Sequence, residues 1–221
     1  MRISHVMVAA AIAAMAWDIA PHAATAVVAL PDPAVDDELA ASSSRASAVL
    51  AGGCFWGIEE LYQHVRGVTD AVSGYSGGSA GNANYALVSL GTTGHAESVK
   101  ITYDPSKITY GQLLQIFFSV AHDPTQRGGQ GPDTGQQYRS VVFAAGERQP
   151  QVAQAYIEQL TAAHVFKRSI TTQVVPLSAF YEAEDYHQDY ASHHPSQPYI
   201  VMNDLPKIEA LKKHFPQVYV R

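Results

Sequence analysis

Ala48-Val49-Leu50-Ala51-Gly52-Gly53-Cys54-Phe55-Trp56-Gly57 joins an apolar run to a glycine turn and then to a helical pattern. Phe55, Ile58, Leu61, Tyr62 and Val65 recur at three- and four-residue spacing, and Gly67 supplies a stop. The stretch therefore predicts a strand, a tight turn and a helix, with Cys54 at or beside the helix N-terminus. Unpaired backbone N–H groups and the positive end of the helix dipole favour a thiolate there. Cys54 is the only cysteine in 221 residues. A buried, inert thiol is the plainer reading of a lone cysteine. The turn, the helix start and the two adjoining aromatics point instead to a reactive one.

Downstream, Thr69 to Tyr75 has strand character and runs into the loop Ser76-Gly77-Gly78-Ser79. Ala96 to Tyr103 alternates, with Glu97, Val99, Ile101 and Tyr103 on one face, and Asp104-Pro105 ends it. A second helix fits Tyr110 to Ala121, with Thr109 as N-cap and Leu113, Ile116, Phe117 and Val120 as its buried stripe. His122 to Gln137 reads as a long loop, a length that is uncommon in a compact domain and often functional. Arg139 to Ala145 is a strand with Val141 and Phe143 inward, Glu147 to His164 a third helix, and Ile170 to Val175 a further strand stopped by Pro176. Stripped of loops, residues 47–145 read β-α-β-β-α-β. That is the ferredoxin-like order of an α/β (α+β) chain, one mixed sheet with helices packed on it. The remainder is expected to add a helix, a strand and a long irregular C-terminal tail.

Composition narrows the class. Hydrophobic residues make up 47% and charged residues 15%, enough to bury a core and too apolar for a disordered chain. A net charge of −6 without a basic run argues against a nucleic-acid surface. Residues 1–26 read as a signal peptide: Arg2 gives the positive start, Val6 to Trp17 the apolar run, and Ala23, Ala24 and Ala26 the cleavage sites. The apolar run is too short to span a bilayer comfortably, and no cysteine near the cleavage site offers a lipid anchor. A soluble periplasmic or secreted protein is expected, without a membrane anchor and monomeric. Residues 27–46 carry no periodicity and read as a disordered, flexible leader, so that residues 47–221 form a single catalytic domain. With one cysteine, no disulfide can form within the chain, and stability must come from packing.

The alternation places the Glu97 carboxylate inward, beside the Gly94-His95 turn. A desolvated carboxyl has a raised pKa and can stay protonated near neutrality, as a general acid must. The plain alternative is a strand-end glutamate tipped toward solvent. Tyr75, Tyr85, Asp133 and Tyr138 border the loops around this strand. A tyrosine there can donate to a polar oxygen while its ring lines an apolar wall, though spacing alone assigns no role. Glu184, Asp185, His187, Asp189, His193 and His194 cluster in sequence, but without His-Glu-x-x-His or cysteine-paired spacing, and read as a polar, partly exposed segment rather than a metal site. No Gly-x-Gly-x-x-Gly or phosphate loop occurs, and no cofactor is expected.

Gly53-Cys54-Phe55-Trp56-Gly57 resembles the A-type peptide methionine sulfoxide reductases (methionine-S-sulfoxide reductases). The resemblance continues through Gly74-Tyr75-Ser76-Gly77-Gly78, Thr93-Gly94-His95-Ala96-Glu97, Tyr103-Asp104-Pro105 and His122-Asp123-Pro124-Thr125. Gln130-Gly131-Pro132-Asp133, Gln137-Tyr138-Arg139-Ser140 and Ala183 to Tyr190 extend it over about residues 47–216. It implies that Cys54 attacks the sulfoxide sulfur, that Glu97 protonates its oxygen, and that Tyr85 and Tyr138 hydrogen-bond that oxygen. Phe55 and Trp56 would hold the methyl group, and Asp133 would lie in the substrate pocket. The implied substrate is methionine-S-sulfoxide, free or in proteins. Many relatives carry a second cysteine in the tail, often just after a Pro-Tyr pair; here Pro198-Tyr199 is followed by Ile200. A single-cysteine cycle is therefore expected, with a thioredoxin-like protein or a small thiol as reductant. Two other readings stand beside it: a cysteine hydrolase activated by His95 or His187, and a module that binds oxidised methionine without turnover.

Overall fold

The computed structural model describes residues 30–221; the expected signal peptide and the start of the leader lie outside the described residues. β1 (Ala46–Ala51) leads through the glycine turn into α1 (Phe55–Gln63), and the chain returns along β2 (Val68–Ser76). A short α2 (Tyr85–Val88) precedes β3 (Ala96–Tyr103) and α3 (Tyr110–Ile116), which widens into a π-helical turn, Phe117–Ala121. The stretch after His122 is not structureless: it folds as a small hairpin, β4 (Gly129–Gln130) with β5 (Asp133–Thr134), and a 3-10 turn, Gln136–Tyr138. Then come β6 (Val141–Ala144), α4 (Arg148–Ala162), β7 (Gln173–Pro176) and β8 (Phe180–Glu182). The tail carries more order than expected, with α5 (Tyr190–His193), a π-helical turn (Ile200–Asp204) and α6 (Leu205–His214).

The six-stranded sheet runs β7-β6-β1-β3-β2-β8. Its centre, β6-β1-β3-β2, is antiparallel throughout, as the β-α-β-β-α-β order requires. β7 joins β6 in parallel and β8 joins β2 antiparallel, so the sheet is mixed, as expected. Ala48, Leu50, Val99 and Ile101 face the helices and meet Phe55, Ile58, Leu61, Leu113, Phe117 and Tyr156 in the main core. Full burial of each large apolar side chain contributes about 1.5–3 kcal/mol. The other face carries a smaller cluster of Val49, Ala51, Ala96, Val141 and Phe143, covered by Leu177 and Phe180. This corrects the expected orientation of β6: Val142 and Ala144 enter the main core, and Val141 and Phe143 the smaller one. Both faces of β6 are covered, so Val141-Val142-Phe143-Ala144 is apolar throughout and its alternation is silent.

The leader is a second correction. Residues 30–45 form no helix or strand, yet they are strapped to the helical layer. Gln115 donates to the Leu30 carbonyl at 3.1 Å, Tyr156 to that of Pro31 at 2.9 Å, and Arg148 pairs with Asp37. Asp36 sits over the N-terminus of α3, accepting from the Gly111 amide at 2.9 Å and from the Thr109 hydroxyl. Thr109 also forms a capping box with Gln112. The carboxylate thus satisfies a free amide at the positive end of a helix, where an anion is favoured. Asp36→Ala should lower stability by about 1–2 kcal/mol. The check is a urea midpoint moving down at unchanged slope. An unmoved midpoint would show that the strap contributes nothing.

Candidate active site

Cys54 is the N-cap residue of α1, with φ −54° and ψ 127°, and its side chain makes no capping hydrogen bond. The turn that places it depends on Gly53, whose φ is +108° and whose missing Cβ leaves room for Gln130. Cys54 is 9% exposed. Here the structure departs from the expected thiolate. The Trp56 amide does favour the ionised sulfur, as a helix start should, but burial outweighs it. Burial holds the thiol well above its ordinary value, and the neighbouring carboxyl groups of Glu97 and Asp204 add to this when ionised.

Glu97 is where strand parity put it, 2% exposed, with Oε2 accepting from the Phe55 amide at 3.2 Å. The glutamate is thereby fixed to the first turn of the cysteine's helix. Burial, with a smaller contribution from the Asp133 carboxylate, raises its pKa to about 8 against the pull of that amide. At neutral pH it is mainly a carboxylic acid. The charge that would oppose ionisation of the sulfur is then largely absent.

Tyr85 opens α2, which Asn84 caps by accepting from the Leu87 amide at 3.1 Å. Tyr138 closes the 3-10 turn after the β4–β5 hairpin. Burial keeps both phenols protonated, and both lie within electrostatic reach of Glu97 and Cys54. Two separate segments, α2 and the 3-10 turn, thus bring two O–H donors to one acid and one sulfur. Asp133, on β5, accepts a hydrogen bond from Tyr199, and burial raises its pKa.

Phe55 is buried in the main core, while Trp56 is partly open. The Trp56 indole stacks on Tyr190 with ring centres 3.9 Å apart and planes 13° apart, and meets Tyr199 edge-on at 6.1 Å. Its N–H donates to His187 Nδ1 at 3.2 Å, so the neutral imidazole carries its proton on Nε2. Phe55 and Tyr85 also pack on that imidazole, at 5.1 and 4.5 Å between ring centres. Acid, phenols, thiol and an aromatic wall therefore converge on one place.

Several groups around the site escaped sequence reasoning. His187 is 2% exposed, not part of an open polar segment. Glu184 accepts from the Tyr75 hydroxyl at 2.8 Å and from the Tyr85 amide at 2.9 Å, tying α2 to the tail. Asp204 is fully buried, paired with Lys207 at 3.0 Å, and lies against Gly57, where a Cβ would collide with its carboxylate. The only signal for these residues was their density of ionisable and aromatic types, which names no partner. His95, weighed as a base for a hydrolase, has its ring nitrogens at the Gly78 amide (3.2 Å) and the Ser79 carbonyl (3.0 Å), and His187 Nδ1 is taken by Trp56. Neither is hydrogen-bonded to Cys54, which removes the geometric basis of that reading.

Comparison with known proteins agrees with this geometry. The family model described as peptide methionine sulfoxide reductase matches residues 46–219. A peptide methionine sulfoxide reductase MsrA 2 of Mesorhizobium japonicum is 56% identical over 183 residues, 83% of this chain and 93% of that protein. One of Synechocystis sp. is 52% identical, over 84% of this chain and 88% of its own length. Among solved structures, Mxr1 from Saccharomyces cerevisiae in reduced form superposes with a TM-score of 0.63 at 32% identity, covering 74% of this chain and 92% of that one. Methionine sulfoxide reductase A of Corynebacterium diphtheriae gives 0.60 at 35% identity, covering 71% and 78%. With its cysteine, acid and phenols set on the matched fold, the chain belongs to the peptide methionine sulfoxide reductase family.

Proposed function

We propose that this protein reduces methionine-S-sulfoxide, free or within polypeptides, to methionine, as repair of oxidative damage. The observation that carries the reading is Glu97, buried and held by the Phe55 amide in the first turn of the helix whose N-cap position is Cys54. A sulfoxide presents a polar oxygen beside an apolar methyl, and the site offers donors for the first and an aromatic wall for the second. Tyr85, Tyr138 and Glu97 receive the oxygen; Phe55 and Trp56 flank the methyl, and Asp133 with Tyr199 borders the pocket. Because the sulfur is a stereocentre, fixed donors on one side and a fixed wall on the other admit one epimer.

The Cys54 sulfur attacks the sulfoxide sulfur, forming an S–S bond and releasing its thiol proton, while Glu97 delivers a proton to the sulfoxide oxygen. The thiol proton restores Glu97, and the S–S bond breaks as methionine leaves. The oxygen passes to Cys54 as a sulfenic acid, the cysteine sulfur losing two electrons and the methionine sulfur gaining them. No second cysteine exists in the chain to condense with it. Two thiol equivalents from outside, from a thioredoxin-like protein or a small thiol, then restore Cys54, giving a disulfide of the reductant and water. The sequence of residues 1–26 supports action outside the cytoplasm.

The test is an assay on separated R and S epimers with several thiol donors. Turnover of the S epimer alone is expected. After one substrate equivalent without reductant, mass spectrometry should find Cys54 heavier by one oxygen. A disulfide-linked dimer as the competent intermediate, or reduction of the R epimer, would overturn the scheme.

A further inference from the structure

Glu59 lies on α1, the helix that Cys54 caps, and is 1% exposed. The chemistry above makes no use of it. A buried carboxylate is costly unless its oxygens are hydrogen-bonded, and both are. Oε2 accepts from the Ser73 hydroxyl at 2.8 Å, and Oε1 from the Asp189 amide at 3.2 Å. Ser73 belongs to β2, and Asp189 to the turn before α5.

The same turn is gripped twice more. Gln188 accepts from the Ser73 amide at 3.0 Å and donates to the carbonyls of Ser73 at 3.1 Å and Ala183 at 2.9 Å. Gln63, at the end of α1, donates to the Asp189 carboxylate at 2.8 Å. Asp189 has φ +54°, a left-handed conformation uncommon among residues with a Cβ, though less so for aspartate than for most. Directly around it stand His187 and Tyr190, the two residues that accept from and stack on Trp56.

We infer that Glu59 is a positioning residue for the substrate pocket: it latches the Gln188–Asp189 turn to α1 and β2, and so holds His187 and Tyr190 against the Trp56 indole. The inference rests on the reading of Trp56 as a wall of the sulfoxide pocket. The latch is a hydrogen-bond device and does not require charge. Burial raises the Glu59 pKa to about 7, with Asp189 and Glu60 adding to it and the Ser73 hydroxyl and Asp189 amide opposing. A protonated Glu59 can still donate to Ser73 and accept from Asp189, and a glutamine can do the same. A leucine of similar volume can do neither.

The experiment uses the full chain carrying Trp17→Phe, so that Trp56 is the only tryptophan. Glu59→Gln, Glu59→Leu and Gln188→Ala are compared in this background. Glu59→Gln should keep KM, kcat and Trp56 emission within about threefold of the parent. Glu59→Leu should raise KM roughly tenfold or more with kcat changed less, since misplacing a pocket wall weakens binding before it touches the acid. Its Trp56 emission should shift as the indole loses its stack and its acceptor. If Glu59→Leu fails to fold, the partly exposed Gln188→Ala gives the same two readings. A folded variant with unchanged KM and emission, or with loss confined to kcat, would overturn the inference. The emission reading needs no turnover, so it separates failure of the latch from failure of the proposed reaction.

Discussion

Cys54→Ser will show no measurable sulfoxide reduction, with any thiol donor and at any pH. The reaction stores the transferred oxygen on sulfur as a sulfenic acid, and a serine oxygen has no equivalent oxidation state to enter. The hydroxyl is also a far weaker nucleophile in a site where burial disfavours even the thiolate. The same substitution should leave the fold intact. Cys54 holds the N-cap position of α1 without capping it through its side chain, and serine is among the preferred residues there. Desolvation of the hydroxyl opposes that gain, so thermal stability should change by no more than about 1 kcal/mol in either direction. Activity and melting temperature measured on one preparation make the check. Residual turnover in a homogeneous sample would remove Cys54 from the centre of the mechanism. A collapse of the melting temperature would assign it a structural role instead.

That the cysteine could be read from the chain follows from local rules. A strand run, two glycines and a helix stripe fix where residue 54 lies whatever packs around it. The inward face of Glu97 was legible for a similar reason, because alternation along β3 has a period of two and one buried neighbour sets the rest. Parity failed on β6, where covering elements on both faces erase the contrast that alternation needs. It was also silent on the leader. Residues 30–45 have no periodicity because they dock as an extended strap, held by single side chains such as Asp36 and Gln159. The chemistry of the thiol was only half legible: the helix start is real, but the depth of burial belongs to the tertiary structure. The same holds for Glu59, Glu184 and Asp204. Glu59 and Glu184 have hydrogen-bond partners a strand, a helix or a tail away, and Asp204, paired locally with Lys207, meets Gly57 only through the tertiary fold; no local pattern names such neighbours.

Glu97→Gln should lower kcat by about 10²–10⁴ while leaving KM and fold nearly unchanged. Glutamine keeps the oxygen that accepts from the Phe55 amide, so the helix start stays in place. It cannot give up a proton to the sulfoxide oxygen, and Tyr85 and Tyr138, whose pKa values burial raises, are weaker acids in its stead. The pH dependence carries the sharper test. With a pKa of about 8, Glu97 is protonated below that value, and wild-type kcat/KM should fall as pH rises through it. The variant should lose that descending limb. Stability moves with a definite sign as well. The folded pKa of Glu97 lies above its ordinary 4.5, so the folded state binds the proton more tightly than the unfolded chain. The wild type therefore loses stability as pH climbs from about 4.5 to about 8, and Glu97→Gln, with nothing to ionise, should gain on it across that window. Equal kcat for the two proteins, or a descending limb that survives the substitution, would assign the proton to another group.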